Sequence, residues 1–421
     1  VSTSHISGAT IHVLLFTQHF PPDTGAHATR CSWVSREMLA RGHRVTVVVP
    51  RWANHPVRVS DHPGLVIHEV RALVPGMGLG RRLLNEALAS VQMLARATKV
   101  HDVDAVAATV PALLTLPTGW LASRLLRAPM VLELRDAWPH LLSEMDQWEE
   151  DGTRPATAPR RLIGAGAKVL TTVMWWLERR AAGTVVTSQS LARDLQGKVR
   201  EPVRLARNVN AHALVVAPRE RDHAELRVLY LGSVGRAQRL ATAVQAALLV
   251  QQRGVPITLR ILGKGAHVAA IDEYIQRTGA PVQLLPPIPI TEVAAQYSWS
   301  DTVLIMLRDW SAMRLTVPSK LYEVLATGRH ITGSVAGETA DIITDAQAGH
   351  VVAPQDPVAL ADLWCRLAED RALLDVSDGG HQWLAEHADR GQQAQSVEDV
   401  LRTVVDAHAT KSRRGRWGRS R

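Results

Sequence analysis

Cysteine is nearly missing from this chain: there are two in 421 residues, Cys31 and Cys365, far apart in sequence. That excludes a disulfide framework and a cysteine-based zinc site, and it fits a reducing cytosol. Lysine is scarce as well, at positions 99, 168, 198, 264, 320 and 411 only. The basic side of the balance, 48 Lys+Arg against 40 Asp+Glu, is therefore almost all arginine, whose fork suits phosphate and carboxylate. No clean membrane-spanning run is present. The longest uncharged run, Ala105 to Ser123, carries Pro111, Pro117 and Gly119 and follows Asp102 and Asp104, so it reads as a buried strand, a turn and a helix. The first ten residues are polar and the apolar segment Ile11 to Phe16 is short, so no secretory signal is evident. The 18 histidines are scattered without metal-ligand spacing, and no complete nucleophile and base set is seen.

What is present is a long, ordinary globular composition. Apolar residues make up 46% and charged residues 21%, so sizeable cores can be buried, and the length predicts two domains. Ile11 to Phe16 reads as a strand, followed by a Pro-Pro-Asp-Thr-Gly loop and a helix over Ala28 to Arg41, and Val45 to Val49 reads as the next strand. Further strands are expected at Val103 to Ala107, Met130 to Leu134 and Thr184 to Thr187. The pattern restarts after a polar stretch, residues 208–225, with strands at Leu226 to Leu231, Ile257 to Leu262, Val282 to Leu285, Thr302 to Met306 and His330 to Ser334. This predicts an α/β protein with two Rossmann-like domains in tandem, residues 1–207 and 226–381, joined by a linker at 208–225. A closing helix over 382–408 is expected to pack back on the first domain, and 411–421 (KSRRGRWGRSR) to be a basic disordered tail.

Ligands of parallel sheets bind beyond the carboxyl ends of the strands, so the loops there are the candidates. The Pro21 to Arg30 loop leads into a helix whose free amides favour anions, and Gly25 would let a substrate come close. Its second-half counterpart is Gly232-Ser233-Val234-Gly235-Arg236, where Arg236 could meet a phosphate or simply be solvated. In Val317-Pro318-Ser319-Lys320-Leu321-Tyr322-Glu323, Pro318 reads as the first helical residue, which puts Ser319 and Lys320 at a helix N-terminus. Glu323, a turn later, could accept hydrogen bonds from ribose hydroxyls, at about 1.5 to 3 kcal/mol per bond, or merely suit the helix dipole. Asp102-Val103-Asp104 leads into a strand instead of following one and is not read as a metal site. Gly76-x-Gly78-x-Gly80 lacks a preceding strand and reads as a connection. Trp175-Trp176 with Lys168, Arg179 and Arg180 fits either an interfacial amphipathic helix or one packed on the sheet.

Taken together, Gly25, the segment Leu134-Arg135-Asp136-Ala137-Trp138-Pro139, the Leu231 to Leu240 turn, Pro318 to Glu323 and Gly337-Glu338 resemble glycosyltransferase family 4. Within it, Arg-Asp-x-Trp-Pro and Pro-Ser-Lys-x-x-Glu are most similar to bacterial O-antigen and capsule sugar transferases of the fucosamine type. The resemblance implies a GT-B fold with two Rossmann-like domains facing a cleft. It implies a retaining enzyme that moves a sugar from a nucleoside diphosphate, with uridine as the base, to an acceptor hydroxyl.

The implied donor-binding set is Gly232, Gly235, Arg236, Ser319, Lys320 and Glu323, with Asp136, Arg236 and Lys320 as catalytic residues and Gly25, Arg135 and Asp136 facing the acceptor. Glu323 matches the second of two family glutamates. The first falls at Leu315, which cannot hydrogen-bond a donor sugar. Ser233 and Gln238 stand where many members carry a diphosphate-binding Arg and Lys, and Arg135-Asp136 stands where many have His-Asp. No cofactor or metal is expected. The expected partners are a nucleotide-sugar, a lipid-linked or small-molecule acceptor and a peripheral membrane surface, not nucleic acid, with a cytoplasmic location at the inner face of the membrane. A small secondary-metabolite acceptor, a nucleotide-sugar epimerase and a non-catalytic scaffold remain as alternatives.

Overall fold

The computed structural model describes residues 9–23, 25–51, 56–71, 79–110, 114–138, 140–143, 160–209 and 215–417. The chain forms two compact units. One takes the described residues up to Asn208 together with those from Arg390 onward, and the other is Val209–Asp389.

The first unit holds β1 (His12–Phe16), α1 (Ala26–Ala40), β2 (Arg44–Arg51), β3 (Leu65–Arg71), α2 (Leu79–Ala97), β4 (Ala105–Val110), α3 (Thr115–Leu126), β5 (Met130–Leu134), α4 (His140–Ser143), α5 (Arg160–Glu178), β6 (Gly183–Val186), α6 (Gln189–Leu195) and β7 (Val203–Leu205). All strand pairs are parallel, in the order β3-β2-β1-β4-β5-β6-β7. Because β1 is central, its side chains alternate into two cores. Val13 and Leu15 pack with Cys31, Met38 and Leu39 of α1, whereas Leu14 and Phe16 pack with Ala89 and Met93 of α2 and Ala122 of α3. Right-handed crossovers account for this split. The chain steps one way from β1 to β3 and the other way from β3 to β7, so α1 lies on one face and α2 and α3 on the other. Helix α5 lies beside α3, with Trp176 at 5.3 Å from Trp120 between ring centres.

The second unit holds β8 (Leu226–Ser233), α7 (Ala241–Gln252), β9 (Ile257–Lys264), α8 (Val268–Thr278), β10 (Val282–Leu285), α9 (Ile290–Trp299), β11 (Thr302–Met306), α10 (Ser311–Arg314), α11 (Ser319–Leu325), β12 (His330–Ser334), α12 (Glu338–Asp345), β13 (Gly349–Val352), α13 (Pro357–Glu369) and α14 (Gly379–His387). Its sheet is again parallel, ordered β10-β9-β8-β11-β12-β13. The core gathers Val228, Tyr230, Val244, Leu259, Leu304 and the fully buried Trp364.

The last helix, α15 (Arg390–Trp417), returns to the first unit, where Val400, Leu401 and Val404 enter the core on the α1 side. Gly183 admits it: a Cβ there would sit 2.9 Å from Cγ1 of both Val400 and Val404. Glu398 holds its edge, accepting from Arg41 (2.8 Å), His43 (3.1 Å) and Arg402 (2.6 Å).

Several expectations need correction. The single closing helix over 382–408 is two helices broken at Ala388 and Asp389: α14 belongs to the second unit and only α15 to the first. The expected disordered tail is helical as far as Trp417, since nothing between Lys411 and Trp417 breaks a helix more strongly than the single Gly415. Much of the expected linker belongs to the second unit. Arg219 reaches Asp375 at 2.8 Å, and Arg329 donates to the Ala217 carbonyl at 2.6 Å. Pro318 caps α11 with an extended ψ of 133°, so Ser319 is the first helical residue. The strand expected at Val103 begins at Ala105, because Asp104 turns its carboxylate onto the His12 amide (2.8 Å). Strands β3, β7 and β13 carry weak apolar patterns and were not expected. Gly76 and Gly78 lie outside the described residues, as do residues 111–113 of the uncharged run.

Candidate functional site

The carboxyl edge of the second sheet is shaped by close backbone approach. β8 and β9 stay paired to their last residues, Ser233 opposite Lys264. A Cβ on Gly263 would lie 1.8 Å from the Gly232 carbonyl oxygen, and one on Gly265 2.1 Å from that of Val234. Only glycine lets these two loops meet. The Val234 amide donates to the Lys264 carbonyl (3.0 Å), the His267 amide to that of Val234 (3.1 Å), and the Tyr230 hydroxyl to that of Ser233 (2.7 Å). The loops are thus a fixed backbone frame bearing two cations, Arg236 and Lys264. Both are exposed and neither is recorded with a hydrogen bond or ion pair among the described residues.

The neighbouring strand ends extend the same edge. Past β11, the Arg308 amide donates to the Ala237 carbonyl (2.7 Å), tying this turn to the Gly232–Arg236 loop, and the guanidinium lies 5.0 Å over Trp310. Past β12, Gly337 has φ 66°, and a Cβ there would meet the Arg314 carbonyl at 2.3 Å. Ser319 and Lys320 open α11 and are half-buried.

Glu323 is 2% exposed. Its Oε1 accepts from both the Tyr297 hydroxyl and the Lys320 ammonium, each at 2.7 Å. The carboxylate read from the sequence as a ribose acceptor is therefore packed in the interior, where it anchors Lys320 and Tyr297. Tyr297, fully buried on α9, has its hydroxyl pushed well above its ordinary pKa by burial and by the Glu323 charge, and so it stays a donor.

At the carboxyl edge of the first sheet, Gly25 precedes α1 with φ 113° and ψ 166°. Nothing stands within 4 Å of a Cβ there, so the backbone conformation, not space, calls for glycine. Arg135, expected to face the acceptor, is 5% exposed and turned against α1. It donates to the His27 carbonyl (2.9 Å), His27 Nδ1 (3.2 Å) and Cys31 Sγ (2.9 Å) and reaches Glu133 at 3.5 Å. It is thus a positioning residue. Burial would raise the pKa of Glu133, but Arg135 and Arg30, which donates to it through Nε, pull it down to about 2. Burial and Arg135 lower His27 to about 3, leaving it neutral. Asp136 follows directly. Burial raises its pKa against the pull of Arg135, which suits a carboxyl that exchanges a proton with a hydroxyl. Pro139 of the same motif lies outside the described residues.

Sequence reasoning missed three features of these edges. Lys264 and its flanking glycines form a Gly-Lys-Gly at a strand end, which the spacing shows once β9 is extended by two residues. Tyr297 has no local signal. His19 Nδ1 meets Asp23 Oδ2 at 3.1 Å in the loop after β1, and Arg58 in turn donates to Asp23 (2.7 Å) and Glu69 (3.0 Å). Only the i, i+4 spacing of that histidine and aspartate hinted at the pair. Among the described residues no cluster of three or more His, Cys, Asp or Glu is arranged to hold a metal ion.

Comparison with known proteins places these two edges in a family. A family model described as Glycosyltransferase Family 4 matches residues 29–209, and one described as Glycosyl transferases group 1 matches residues 225–370. No curated protein matches the chain in sequence. Among solved structures, sucrose-phosphate synthase from Thermosynechococcus elongatus is similar with a TM-score of 0.72 at 15% identity, covering 94% of this chain and all of that one. HepE of Anabaena in complex with UDP-glucose is similar with a TM-score of 0.64 at 14% identity, covering 93% of this chain and all of that one. WaaG, a glycosyltransferase involved in lipopolysaccharide biosynthesis, is similar with a TM-score of 0.63 at 14% identity, covering 92% of this chain and 99% of that one. With two parallel sheets in the GT-B arrangement of strands and with these two domains in succession, the chain belongs to the glycosyltransferases of the family 4 and group 1 type.

Proposed function

We propose that the chain is a retaining glycosyltransferase that moves a sugar from a UDP-sugar to an acceptor hydroxyl in the synthesis of a cell-envelope polysaccharide or glycolipid, working at the cytoplasmic face of the membrane. The observation that carries the donor reading is the backbone frame at the ends of β8 and β9, with Arg236 and Lys264 uncommitted on it. HepE, similar in fold, was solved with UDP-glucose bound, and WaaG serves lipopolysaccharide biosynthesis. Both support this choice of donor and pathway.

The difficult step is departure of the diphosphate as the bond from the anomeric carbon breaks. Preorganised donors aimed at the growing charge lower that barrier without reorganising, which is the role assigned to Arg236, Lys264, Lys320 and the Ser319 hydroxyl, with Gly232 and Gly235 letting the phosphates approach. These cations supply the charge that a metal would otherwise bring, so no metal is assigned. Glu323 holds Lys320 in place and turns to the ribose when the donor arrives. In the first unit Asp136 meets the acceptor hydroxyl, Arg135 fixes the strand end behind it, and Gly25 leaves room for the acceptor.

A second reading, a binding protein without transferase activity, is favoured by Leu315 at the place of the first family glutamate and by the commitment of Glu323 to Tyr297 and Lys320. One experiment addresses both. Thermal unfolding is measured with UDP, GDP, dTDP and ADP and no added metal, and release of UDP from UDP-sugars is measured with lipid-linked and small acceptors. At about 100 times its dissociation constant a ligand stabilises by about 2.7 kcal/mol. A UDP-selective shift with acceptor-dependent release is expected. A shift without release would select the binding protein, and no shift with any nucleotide would overturn the donor site.

A further inference from the structure

Three helices of the first unit carry an apolar stripe that the fold does not use. On α2 the inward face is Ala89, Met93 and Ala97, yet Leu84, Leu88 and Val91 stand exposed on the other side. On α5 the inward face is Met174 and Leu177, yet Val169, Val173 and Trp176 are exposed. Both exposed sets follow the i, i+4, i+7 spacing of one helical face. Between these helices, α3 exposes Leu121 and Leu125 in the same way. The crossovers place α2 and α3 on one side of the sheet and α5 packs beside α3, so the three stripes share one outward surface. Eight large apolar side chains on one face exceed the isolated exposures of an ordinary surface.

The charges that border the α3 and α5 stripes are of one sign, while α2 carries the half-buried Glu86. Arg124 and Arg127 border the α3 stripe, and Lys168, Arg179 and Arg180 border that of α5, all exposed. Helix α3 has no carboxylate, and the only one on α5, Glu178, is fully buried. Arg180 folds its guanidinium over the Trp176 ring at 3.6 Å, which puts a cation and an indole at the same level of the surface. That pairing is what an interface between hydrocarbon and anionic headgroups accepts: the apolar stripe enters, the cations stay with the phosphates, and the indole lies at the boundary.

We infer that the outer surface of α2, α3 and α5 docks on an anionic lipid bilayer, with Leu125, Val173 and Trp176 entering it and Arg124, Lys168 and Arg180 meeting the headgroup phosphates. No described helix is long and apolar enough to cross the membrane, so this contact lies along the surface. It gives the proposed lipid-linked acceptor a place to be met, but its evidence is independent of the donor assignment.

The test is co-sedimentation of the full chain with vesicles of phosphatidylcholine alone and of phosphatidylcholine mixed with phosphatidylglycerol, at low and high salt, with Trp fluorescence read on the same samples. Binding is expected on the mixed vesicles only, weakened by salt and accompanied by a blue shift. The exposed pair Leu125→Glu with Val173→Glu should weaken it at least about tenfold. Arg124→Gln with Lys168→Gln should lower the preference for phosphatidylglycerol and leave the fold intact. Equal binding to both vesicle types, or binding untouched by the Glu pair, would overturn the inference. So would self-association abolished by the Glu pair in the absence of vesicle binding, which would make a second copy the occupant. The UDP-induced thermal shift should be the same in wild type and Glu pair. Its absence in both would count against the donor site and leave the vesicle result standing.

Discussion

Single residues decide whether the donor edge keeps its shape. Gly263→Ala forces a methyl into the Gly232 carbonyl, so the β8 and β9 ends must part. Thermal unfolding should show a loss of about 1 to 3 kcal/mol, together with a weaker UDP shift; full stability would mean that the two loops have slack. Glu323 separates two roles through two substitutions. Glu323→Ala leaves the buried Tyr297 hydroxyl without its acceptor, at about 1 to 3 kcal/mol of stability. Glu323→Gln keeps an acceptor for Tyr297 but removes the charge that holds Lys320. If the ribose reading is right, the Gln variant also loses the wild-type preference for UDP over its 2′-deoxy form. Equal preference in both proteins would remove that reading.

Glu323 also shows what a sequence can convey. Its spacing from Ser319 and Lys320 is local and was legible, whereas its burial comes from Tyr297, 26 residues away on another helix. For the same reason Arg135 could be found but not its direction, because the atoms that turn it inward, those of His27 and Cys31, belong to α1.

Two buried histidines give the protein a pH signature. His27 and His330 both fall from the usual 6.5 to about 3: burial is the main cause in each, reinforced by Arg135 for the first and by the stacked His350 for the second. The unfolded chain binds these protons below pH 6.5 and the folded chain does so only near pH 3. Stability should therefore fall as the pH is lowered from about 6.5 towards 3. His330→Gln, measured by unfolding at pH 7 and pH 4.5, should flatten part of that slope. An unchanged slope would mean that His330 is protonated in the folded protein.

At the scale of elements, α5 joins two oddities: an exposed apolar stripe and a buried carboxyl. Glu178 has no hydrogen-bond partner recorded for either oxygen, and burial holds its pKa well above 4.5 despite Arg179. Its folded form holds its proton to a higher pH than the unfolded chain does, so it costs more stability as the pH rises above 4.5. Glu178→Leu should stabilise the protein by about 1 to 3 kcal/mol at pH 7, with a smaller gain at pH 4. A loss at pH 7 would reveal a partner for the carboxyl.

The strands that the sequence made legible were those with short apolar runs between turn signals: β1, β2, β4 to β6 and β8 to β12. β3, an edge strand, has its apolar residues interrupted by His68 and Glu69, and β7 is only three residues long. Neither carries a run to detect.

The whole molecule is two units, each with its own sheet, and only the second bears the proposed donor edge. Calorimetry should accordingly resolve two transitions, with UDP raising one and leaving the other in place; a shift of the first unit's transition alone would reverse the assignment of donor and acceptor. The tandem repetition of strand and helix was visible in the sequence. Ownership of the segments was not, because the polar stretch at 208–225 and the final helices reveal their allegiance only through partners such as Asp375, Arg329 and Gly183.

Helix α15 also sets an order of events during synthesis. The ribosome emits β1 to β7 first, but the surface beside Gly183 that Val400 and Val404 cover stays bare until some two hundred further residues have been made. The second unit, which ends at Asp389, can finish folding earlier. The half of the protein that is born first is thus the last to be completed, and until then it presents an open apolar seam that invites chaperones. A nascent chain arrested after α14 should carry a protease-resistant second unit and a protease-sensitive first one.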